Sequence, residues 1–385
     1  MIFIIFTSNV GSLRIKAIFI KMLTMKKYTV LFIGLFVVSC LHAQVKKEVK
    51  DTLTQSRYEP VSDTIQAGGL FESDSPLNIT LISDFTSFMK PKYDDKYLPA
   101  KLIVHLPSND SIVKNIRIKT RGKSRKKMCM FPPIKLNFKT DPIKDPDMEG
   151  VKKVKMVTFC KSSMIYNSYI LKEYLIYKLY NAVTDYSLRV RLLKVDYEDT
   201  GKKGFNHSRY GFVIEPMKAL VKRMNAVEIE TKVVMYNQLD QLAADRVALL
   251  NYMIGNTDWQ YQTSHNLKFV RILDINTPGA VPIPYDFDFS GFVGTDYAAP
   301  QEWSNVDDIR DRDYMGFCRD TPDNFNKLKD EYLAAEQEIY DIIMGFEPLS
   351  EKERKRLLWY IEEFYKELKY KNAFKIITSS CREPY

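Results

Sequence analysis

The sequence predicts an α+β protein with two lobes, the first rich in β-strands around one main helix and the second helical. Hydrophobic residues make up 45% of the chain and aromatic residues 13%, which is typical of a well-packed globular protein. Between residues 79 and 157, short segments of β-branched or alternating apolar residues follow one another, as in strands. After Glu215-Pro216 the apolar residues recur at helical spacing instead.

The first lobe is predicted to contain one helix over residues 164–182, with apolar side chains on nearly every side. We expect such a helix to be enclosed by the rest of the protein. Glu173 lies on its tyrosine-rich face, where an unpaired carboxylate would cost free energy, so a cationic partner is expected. The predicted strands of this lobe are 79–82, 101–106, 112–120, 134–138, 151–157, 188–197 and 210–215.

The second lobe is predicted to be mainly helical, with one hairpin. Gly255 is a typical C-terminal stop for the first helix, and Ser350 to Glu353 form a capping box before the last one. The predicted helices are 233–254, 326–344 and 351–371, and the hairpin strands are 267–273 and 281–287.

Residues 1–43 have the features of an export signal. Lys26 and Lys27 precede an apolar run that ends in a small-residue cleavage pattern at Ala43, as in secretory signal peptides. The run is shorter than the roughly 20 apolar residues that a membrane span needs. Residues 1–24 read as an upstream extension from a mis-called start. Because the pattern around Cys40 resembles a bacterial lipobox, simple export and a lipid anchor on Cys40 are both compatible with the sequence.

Three segments are predicted after the leader. Residues 44–75 are polar and read as a solvated linker, residues 76–215 form the β-rich lobe, and residues 216–385 form the helical lobe with the candidate site loops.

The net charge and the cysteine spacing bear on nucleic-acid binding, zinc binding and disulfide formation. Residues 1–43 contain five basic residues and no acidic ones, so their removal lowers the formal charge from +9 to +4. This balance does not imply a nucleic-acid partner. Cys129, Cys160, Cys318 and Cys381 match no zinc pattern. In an exported chain they are compatible both with disulfides, whose pairing cannot be read, and with buried free thiols.

Residues with oxygen ligands recur between positions 258 and 288. Asp258 follows a helix end, Asn266 lies eight residues later, and Asp286 and Asp288 end the predicted hairpin. A carboxylate base, then an amide ligand, then a carboxylate ligand is the order of these groups in phosphoryl-transfer enzymes. On an extended strand both Asp286 and Asp288 would face one side and could hold Mg²⁺. Each residue alone is explained as well by a turn or a strand end, whereas together the residues favour a catalytic site.

The first lobe supplies candidates for binding phosphates. A strand breaks at Arg121-Gly122 and Ser124 follows, so backbone amides and a hydroxyl could cover phosphates there. The basic run at residues 123–127 is more typical of a solvated hairpin face.

Lys135 is a candidate for the cleft and for the partner of Glu173. It alternates with the apolar Ile134 and Leu136 along its predicted strand, so it faces the opposite side. A different lysine or arginine as the partner of Glu173 is the alternative.

The sequence does not indicate a histidine metal site or a hydrolase triad. His265 has no second histidine at ligand spacing, so we expect it to fix its loop by hydrogen bonding. The chain has four histidines and no serine in a Gly-x-Ser-x-Gly elbow, so a hydrolase triad is not indicated.

Together these segments resemble the CotH spore-coat kinase family of atypical kinases, in particular divergent exported members from Bacteroidetes-type bacteria. The resemblance covers about residues 77–320, and its most specific part is Asp258-Trp259 followed by Tyr285-Asp286-Phe287-Asp288. It also includes residues 120–124, 131–138, 172–173, 211–215, 255–259 and 265–266.

The resemblance implies a two-lobed protein-kinase-like fold that binds ATP with Mg²⁺ or Mn²⁺ and phosphorylates serine or threonine of a protein substrate. It implies Asp258 as the base, and Asn266 and Asp286 as metal ligands, beside which Asp288 is a further candidate. It further implies that Lys135 and Glu173 position the phosphates and that Glu215 lies at the hinge that meets adenine. Two other hypotheses fit the sequence, a nucleotide-binding pseudokinase or scaffold on the cell envelope, and a cell-surface binding protein that keeps only the fold.

Overall fold

Seven strands from the first half of the chain form a closed barrel. They are β1 (Leu77–Ser83), β2 (Leu98–His105), β3 (Ser111–Thr120), β4 (Ile134–Asn137), β5 (Lys153–Val157), β6 (Val190–Asp199) and β7 (His207–Ile214). The order around the barrel is β1-β2-β3-β4-β5-β7-β6, and β6 closes it by pairing in parallel with β1. The computed structural model describes residues 69–384 except 92–94, 123–124, 203, 232 and 278.

The closed barrel shows that the predicted two-lobed protein-kinase-like fold is wrong, although the chain is α+β overall. The predicted strands are present with small differences at their ends. Closure depends on pairs such as Leu81 with Tyr197, which are far apart in the sequence and leave no local signal. It pairs both edges of the sheet, and unpaired edges are a liability for a soluble protein. The described residues also all belong to one compact unit.

Alternation along the strands separates an apolar interior from a basic exterior. Ile118, Leu136 and Met156 are buried, while the residues next to them in the sequence face the opposite side of the sheet. This second face of β3, β4 and β5 carries the basic residues Arg117, Lys119, Lys135, Lys153 and Lys155.

The helices cover part of the barrel and form most of the second half. They are α1 (Phe85–Phe88), α2 (Arg125–Met128), α3 (Ile165–Val183), α4 (Met217–Arg223), α5 (Gln241–Met253), α6 (Asp323–Met344), α7 (Glu351–Lys369) and α8 (Ala373–Ile377). Helix α3 packs against β7 on one side and α6 on the other. The prediction that this helix is enclosed is confirmed, and Glu173 within it is only 1% exposed.

A small antiparallel sheet accompanies the helices of the second half. Its strands are β8 (Ala226–Ile229), β9 (Leu267–Ile272) and β10 (Val281–Pro284), in the order β10-β9-β8. Strand β10 ends at Pro284 rather than at residue 287 as predicted, because Asp286 has a φ of 67°, which is incompatible with a strand.

Two helix starts can be explained by their caps. The helix predicted from residue 233 begins at Gln241, because the Asp240 carboxylate accepts a hydrogen bond from the Ala243 amide at 2.8 Å and so defines the N-terminus. The predicted cap of the last long helix is confirmed, since the Ser350 hydroxyl accepts from the Glu353 amide.

The end of the predicted linker packs onto the protein. Leu70 and Phe71 are buried, and their amides donate to the carboxylates of Asp145 and Asp147 at 3.1 and 2.9 Å. Residues 44–68 and the leader with Cys40 and Ala43 lie outside the described residues. Within the described ranges, no helix combines the length and the apolar character that a membrane span requires.

The four cysteines after the leader form two disulfides, Cys129–Cys160 and Cys318–Cys381. The first joins the end of helix α2 to the segment after β5, and the second joins the region before α6 to the C-terminal segment. Disulfides persist in oxidising compartments, so this pairing indicates an oxidising environment for the folded chain.

Candidate functional site

A cavity of about 420 Å³ collects most of the predicted site residues. One wall comes from the barrel around the β3–β4 connection and β5, and the other from the loop after α5 and the segment after β10. A larger cavity of about 600 Å³ at helix α3 and the end of α6 contains none of the predicted site residues. The smaller cavity is lined by Arg121, Gly122, Arg125, Pro133, Lys155, Asp258, Thr263, Ser264, His265, Asn266, Tyr285, Asp286, Asp288 and Phe289.

The backbone around Asp258 is fixed by its neighbours in the loop after α5. The Asn256 side-chain oxygen accepts from the Asp258 amide at 3.1 Å, and the Asn256 carbonyl accepts from the indole of Trp259 at 3.1 Å. Trp259 is almost fully buried, so it anchors the loop to the hydrophobic core. This arrangement leaves the Asp258 carboxylate at the cavity wall.

Two polar side chains orient the Asp258 carboxylate. His265 Nε2 lies 2.8 Å from Asp258 Oδ1, which confirms the prediction that His265 serves the loop by hydrogen bonding. Asn266 Nδ2 donates to Asp258 Oδ2 at 2.9 Å and to the Asp258 carbonyl at 2.7 Å. The eight-residue spacing therefore still brings the amide of Asn266 onto Asp258.

Asp286 and Asp288 occupy different environments, so the prediction that a strand presents both carboxylates on one side is wrong. The Asp286 amide donates to the Tyr177 hydroxyl at 3.0 Å, which fixes the left-handed backbone of Asp286 against helix α3. The Asp286 side chain is 41% exposed in the cavity, whereas that of Asp288 is 6% exposed.

Arg125 is the centre of a buried ionic cluster. Its guanidinium donates from Nε to Asp288 at 2.9 Å and from Nη2 to Glu173 at 2.8 Å, and Nη2 lies 3.9 Å from Asp286. The Tyr297 hydroxyl donates to Asp288 at 3.0 Å. One arginine thus connects helix α3 with the segment after β10.

The expected cationic partner of Glu173 is therefore Arg125, and the predicted Lys135–Glu173 pair is not formed. Arg125 lies in the basic run 123–127, whose composition is typical of a solvated hairpin, so the sequence gives no sign of its buried position. Nothing in that run distinguishes Arg125, whose side chain turns inward and is only 11% exposed.

Burial disfavours the ionised form of the two buried carboxylates in this cluster, Glu173 and Asp288. Burial raises the pKa of Asp288 to about 7, although Arg125 opposes the shift. Burial also raises the pKa of Glu173, again against the effect of Arg125. One oxygen of Glu173, Oε1, is buried with no hydrogen-bond partner among the described residues. Three carboxylates around one guanidinium form a site where further positive charge would be favourable.

Lys155 is a second cavity residue that is not among the predicted site residues. Its ammonium lies 5.1 Å from the centre of the Tyr285 ring. Burial lowers the pKa of Lys155 to about 8, and the positive charges of Arg121 and Lys268 add to the shift. Lys155 alternates with the buried Val154 and Met156, as Lys135 does with its own neighbours. This alternation in the strand before helix α3 was a usable signal.

The remaining predicted residues are only partly brought to the cavity. Arg121 and Gly122 line it, whereas Lys135 and Glu215 do not, and Ser124 lies outside the described residues. The Glu215 carboxylate is buried and bound by Arg189 and Arg223 at 2.8 and 3.0 Å. Its side chain is therefore already neutralised.

The side-chain oxygen atoms at the cavity supply some of the ligands that a hard cation such as Mg²⁺ requires. Asn266 uses its amide nitrogen for Asp258, which leaves its Oδ1 as an oxygen ligand beside the exposed Asp286. Mg²⁺ in phosphate sites typically takes one or two carboxylates together with phosphate oxygens. Among the residues that the structure describes, no three His, Cys, Asp or Glu side chains form a metal-binding group. The Asp288 carboxylate is engaged by Arg125, so a metal role for Asp288 would require Arg125 to move.

The chain matches no protein-family model, and a search of curated proteins found no significant match.

Proposed function

We propose that the cavity transfers the γ-phosphate of ATP to serine or threonine hydroxyls of a protein, as in a divergent relative of the CotH kinases. The main support is the distribution of charge across the cavity. Asp258, Asn266 and Asp286 lie on one wall, and Arg121 and Lys155 lie on the other. Phosphoryl transfer needs this combination, because cations bind the phosphates and a carboxylate receives the proton of the attacking hydroxyl.

Asp258 is the proposed base. As the acceptor oxygen attacks the γ-phosphorus, the bond to the bridging oxygen breaks, ADP leaves with that electron pair, and the hydroxyl proton passes to Asp258. His265 and Asn266 hold the carboxylate in place at 2.8 and 2.9 Å, which reduces the cost of orientation in the transition state. Arg121 and Lys155 would balance the phosphate charge.

Asp286 and Asn266 are the proposed ligands of Mg²⁺ or Mn²⁺, with Asp288 as a further ligand if Arg125 withdraws. When bound, the cation would neutralise charge on the phosphates. Strained backbone at these positions supports a functional role. Ser264, Asn266 and Asp286 all have positive φ, at 52°, 53° and 67°, and such strain is often retained at functional sites.

We also propose that the chain acts outside the cytoplasm, in the periplasm or at the cell surface. The disulfides are in keeping with an oxidising compartment, and the predicted leader ending at Ala43 supplies the route of export. Attachment through a lipid on Cys40 is the alternative to simple export. Globomycin sensitivity of processing would distinguish a lipoprotein from a soluble exported protein.

Replacement of Asp286 tests the catalytic proposal. Purified protein incubated with labelled ATP and Mn²⁺ is expected to label itself or a generic protein acceptor, and Asp286→Ala should abolish the labelling because a cation ligand is lost. Asp307→Ala removes an exposed carboxylate and serves as the matched control. Equal labelling by wild type and Asp286→Ala, or no transfer by the wild type, would rule out the catalytic proposal.

The pKa of Lys155 predicts a pH dependence for ATP binding. Because the pKa of this lysine is about 8, the ammonium loses its proton as the pH rises through 8, and its attraction for phosphate is lost. We expect the affinity for ATP to fall roughly tenfold between pH 7 and 9. Lys155→Arg should remove the fall, since arginine stays charged, and Lys153→Met on the same strand should keep it. Calorimetric titration at each pH measures the effect, and an unchanged fall in Lys155→Arg would contradict the assignment.

A nucleotide-binding pseudokinase is the second candidate, favoured by the position of Arg125. Its guanidinium is bound to Asp288 at 2.8 Å and lies 3.9 Å from Asp286, where it supplies positive charge that a metal ion would otherwise bring. This candidate predicts that ATP raises the melting temperature without phosphoryl transfer. A surface-binding protein without a nucleotide site predicts no thermal shift with ATP.

A further inference from the structure

Three lysines lie directly opposite one another on neighbouring barrel strands. Lys119 on β3 is in register with Lys135 on β4, which is in register with Lys155 on β5. We call these three residues the lysine row. Adjacent strands are about 4.8 Å apart, so the row spans roughly 10 Å at the backbone.

The lysine row is poorly neutralised by the protein itself. Among the described residues, Lys119 forms one ion pair, with Asp95 at 3.4 Å, and Lys135 and Lys155 form none. Burial lowers the pKa of Lys135, and the charges of Lys119, Lys153 and Arg121 contribute. Like charges directly opposite on a sheet destabilise it, so an anionic partner at this face would relieve repulsion.

The row begins at the cavity and continues beyond it. Lys155 lines the cavity with Arg121, whereas Lys119 and Lys135 do not. If ATP phosphates are held by the cations in the cavity, the outer two lysines remain for another anion. That anion would lie next to the cavity that contains Asp258.

We propose that the lysine row binds acidic residues flanking the phosphorylated hydroxyl, so that the acceptor is an acidic polypeptide segment. This inference rests on the proposed phosphoryl transfer. In an extended peptide, alternate side chains lie roughly 7 Å apart on one side, so two carboxylates are within reach of the flexible side chains of Lys119 and Lys135 on their adjacent strands. Nucleic-acid binding usually employs a larger array, on the order of six to ten phosphate contacts.

Peptide binding can test this inference without any transfer reaction. The probes are a fluorescein-labelled peptide with one serine flanked by glutamates and the same peptide with glutamines. We expect the wild-type chain to bind the glutamate peptide more tightly, and Lys119→Glu/Lys135→Glu to weaken it by roughly tenfold or more. Lys101→Glu/Lys194→Glu changes the same charge elsewhere on the barrel, on β2 and β6, and should leave the affinity unchanged.

The controls separate this inference from folding defects and from the proposed function. Lys119→Gln/Lys135→Gln removes the charges without reversing them, and should also weaken binding while the thermal melt stays like that of wild type. Equal affinity for both peptides, equal loss in the control double variant, or tighter binding of single-stranded DNA of matched length would overturn the inference. If glutamate-dependent binding is present but ATP transfer is absent, the docking surface stands and the catalytic proposal fails. If transfer occurs with no preference for acidic peptides, the catalytic proposal stands and the docking surface fails.

Discussion

Replacing Arg125 with methionine is expected to lower the free energy of unfolding by about 3–5 kcal/mol at pH 7. The guanidinium binds Glu173 and Asp288 at 2.8 Å each, and both carboxylates are buried. Without Arg125 they would remain buried and uncompensated, which costs more than the loss of a surface ion pair. Urea unfolding followed by circular dichroism measures the difference.

The pH dependence of the Arg125→Met variant gives a second signature. Burial already raises the pKa of Glu173 and Asp288 in the folded protein, and removal of Arg125 should raise both further. A raised folded pKa means that the native state binds more protons than the unfolded state, so stability increases as the pH falls from the folded value toward the unfolded one. The variant should therefore recover stability between pH 8 and pH 5 more strongly than wild type.

Two comparisons make this prediction specific. Lys127→Met removes an exposed charge from the same short helix and should change stability by less than about 0.5 kcal/mol. Adding Glu173→Gln and Asp288→Asn to Arg125→Met should restore part of the loss, since neither of the two carboxylates is then left buried without its partner. If Arg125→Met unfolds like Lys127→Met, the ionic cluster does not hold the barrel side to the second half.

Asp258→Asn is expected to reduce phosphoryl transfer by about 10²–10⁴-fold, the usual contribution of a positioned general base. Asparagine keeps the size of the side chain but cannot accept the proton of the hydroxyl. ATP binding should persist, because Arg121, Lys155 and Asp286 remain in the cavity. Single-turnover transfer of labelled phosphate and an ATP thermal-shift assay separate the two steps.

Asp274→Asn provides the matched control for Asp258, because Asp274 is exposed and lies in the connection between β9 and β10. It should transfer phosphate like the wild type. Retention of more than a tenth of the activity in Asp258→Asn would remove Asp258 from the role of base. Loss of ATP binding in the same variant would instead assign Asp258 to the nucleotide or its cation.

The sequence alone was sufficient to predict most strands and helices, because the periodicity of apolar residues is a local property. Strand β3 and helix α3 lie close to their predicted bounds. The burial of Glu173 and its need for a cation also followed from the pattern of its own helix. The convergence of Asp258, Asn266 and Asp286 was anticipated from their order along the chain, and one cavity contains all three.

Only the tertiary structure decided how these elements combine. The closure of the barrel depends on the parallel pairing of β1 with β6, and the partner of Glu173 depends on the inward turn of Arg125 within a run of similar basic residues. The disulfide pairs and the entry of Lys155 into the cavity are likewise contacts between distant segments. Periodicity reports which side of an element is buried, but it contains no information about which distant residue meets it. The order of the candidate site residues could therefore be read from the sequence, whereas their ionic partners could not.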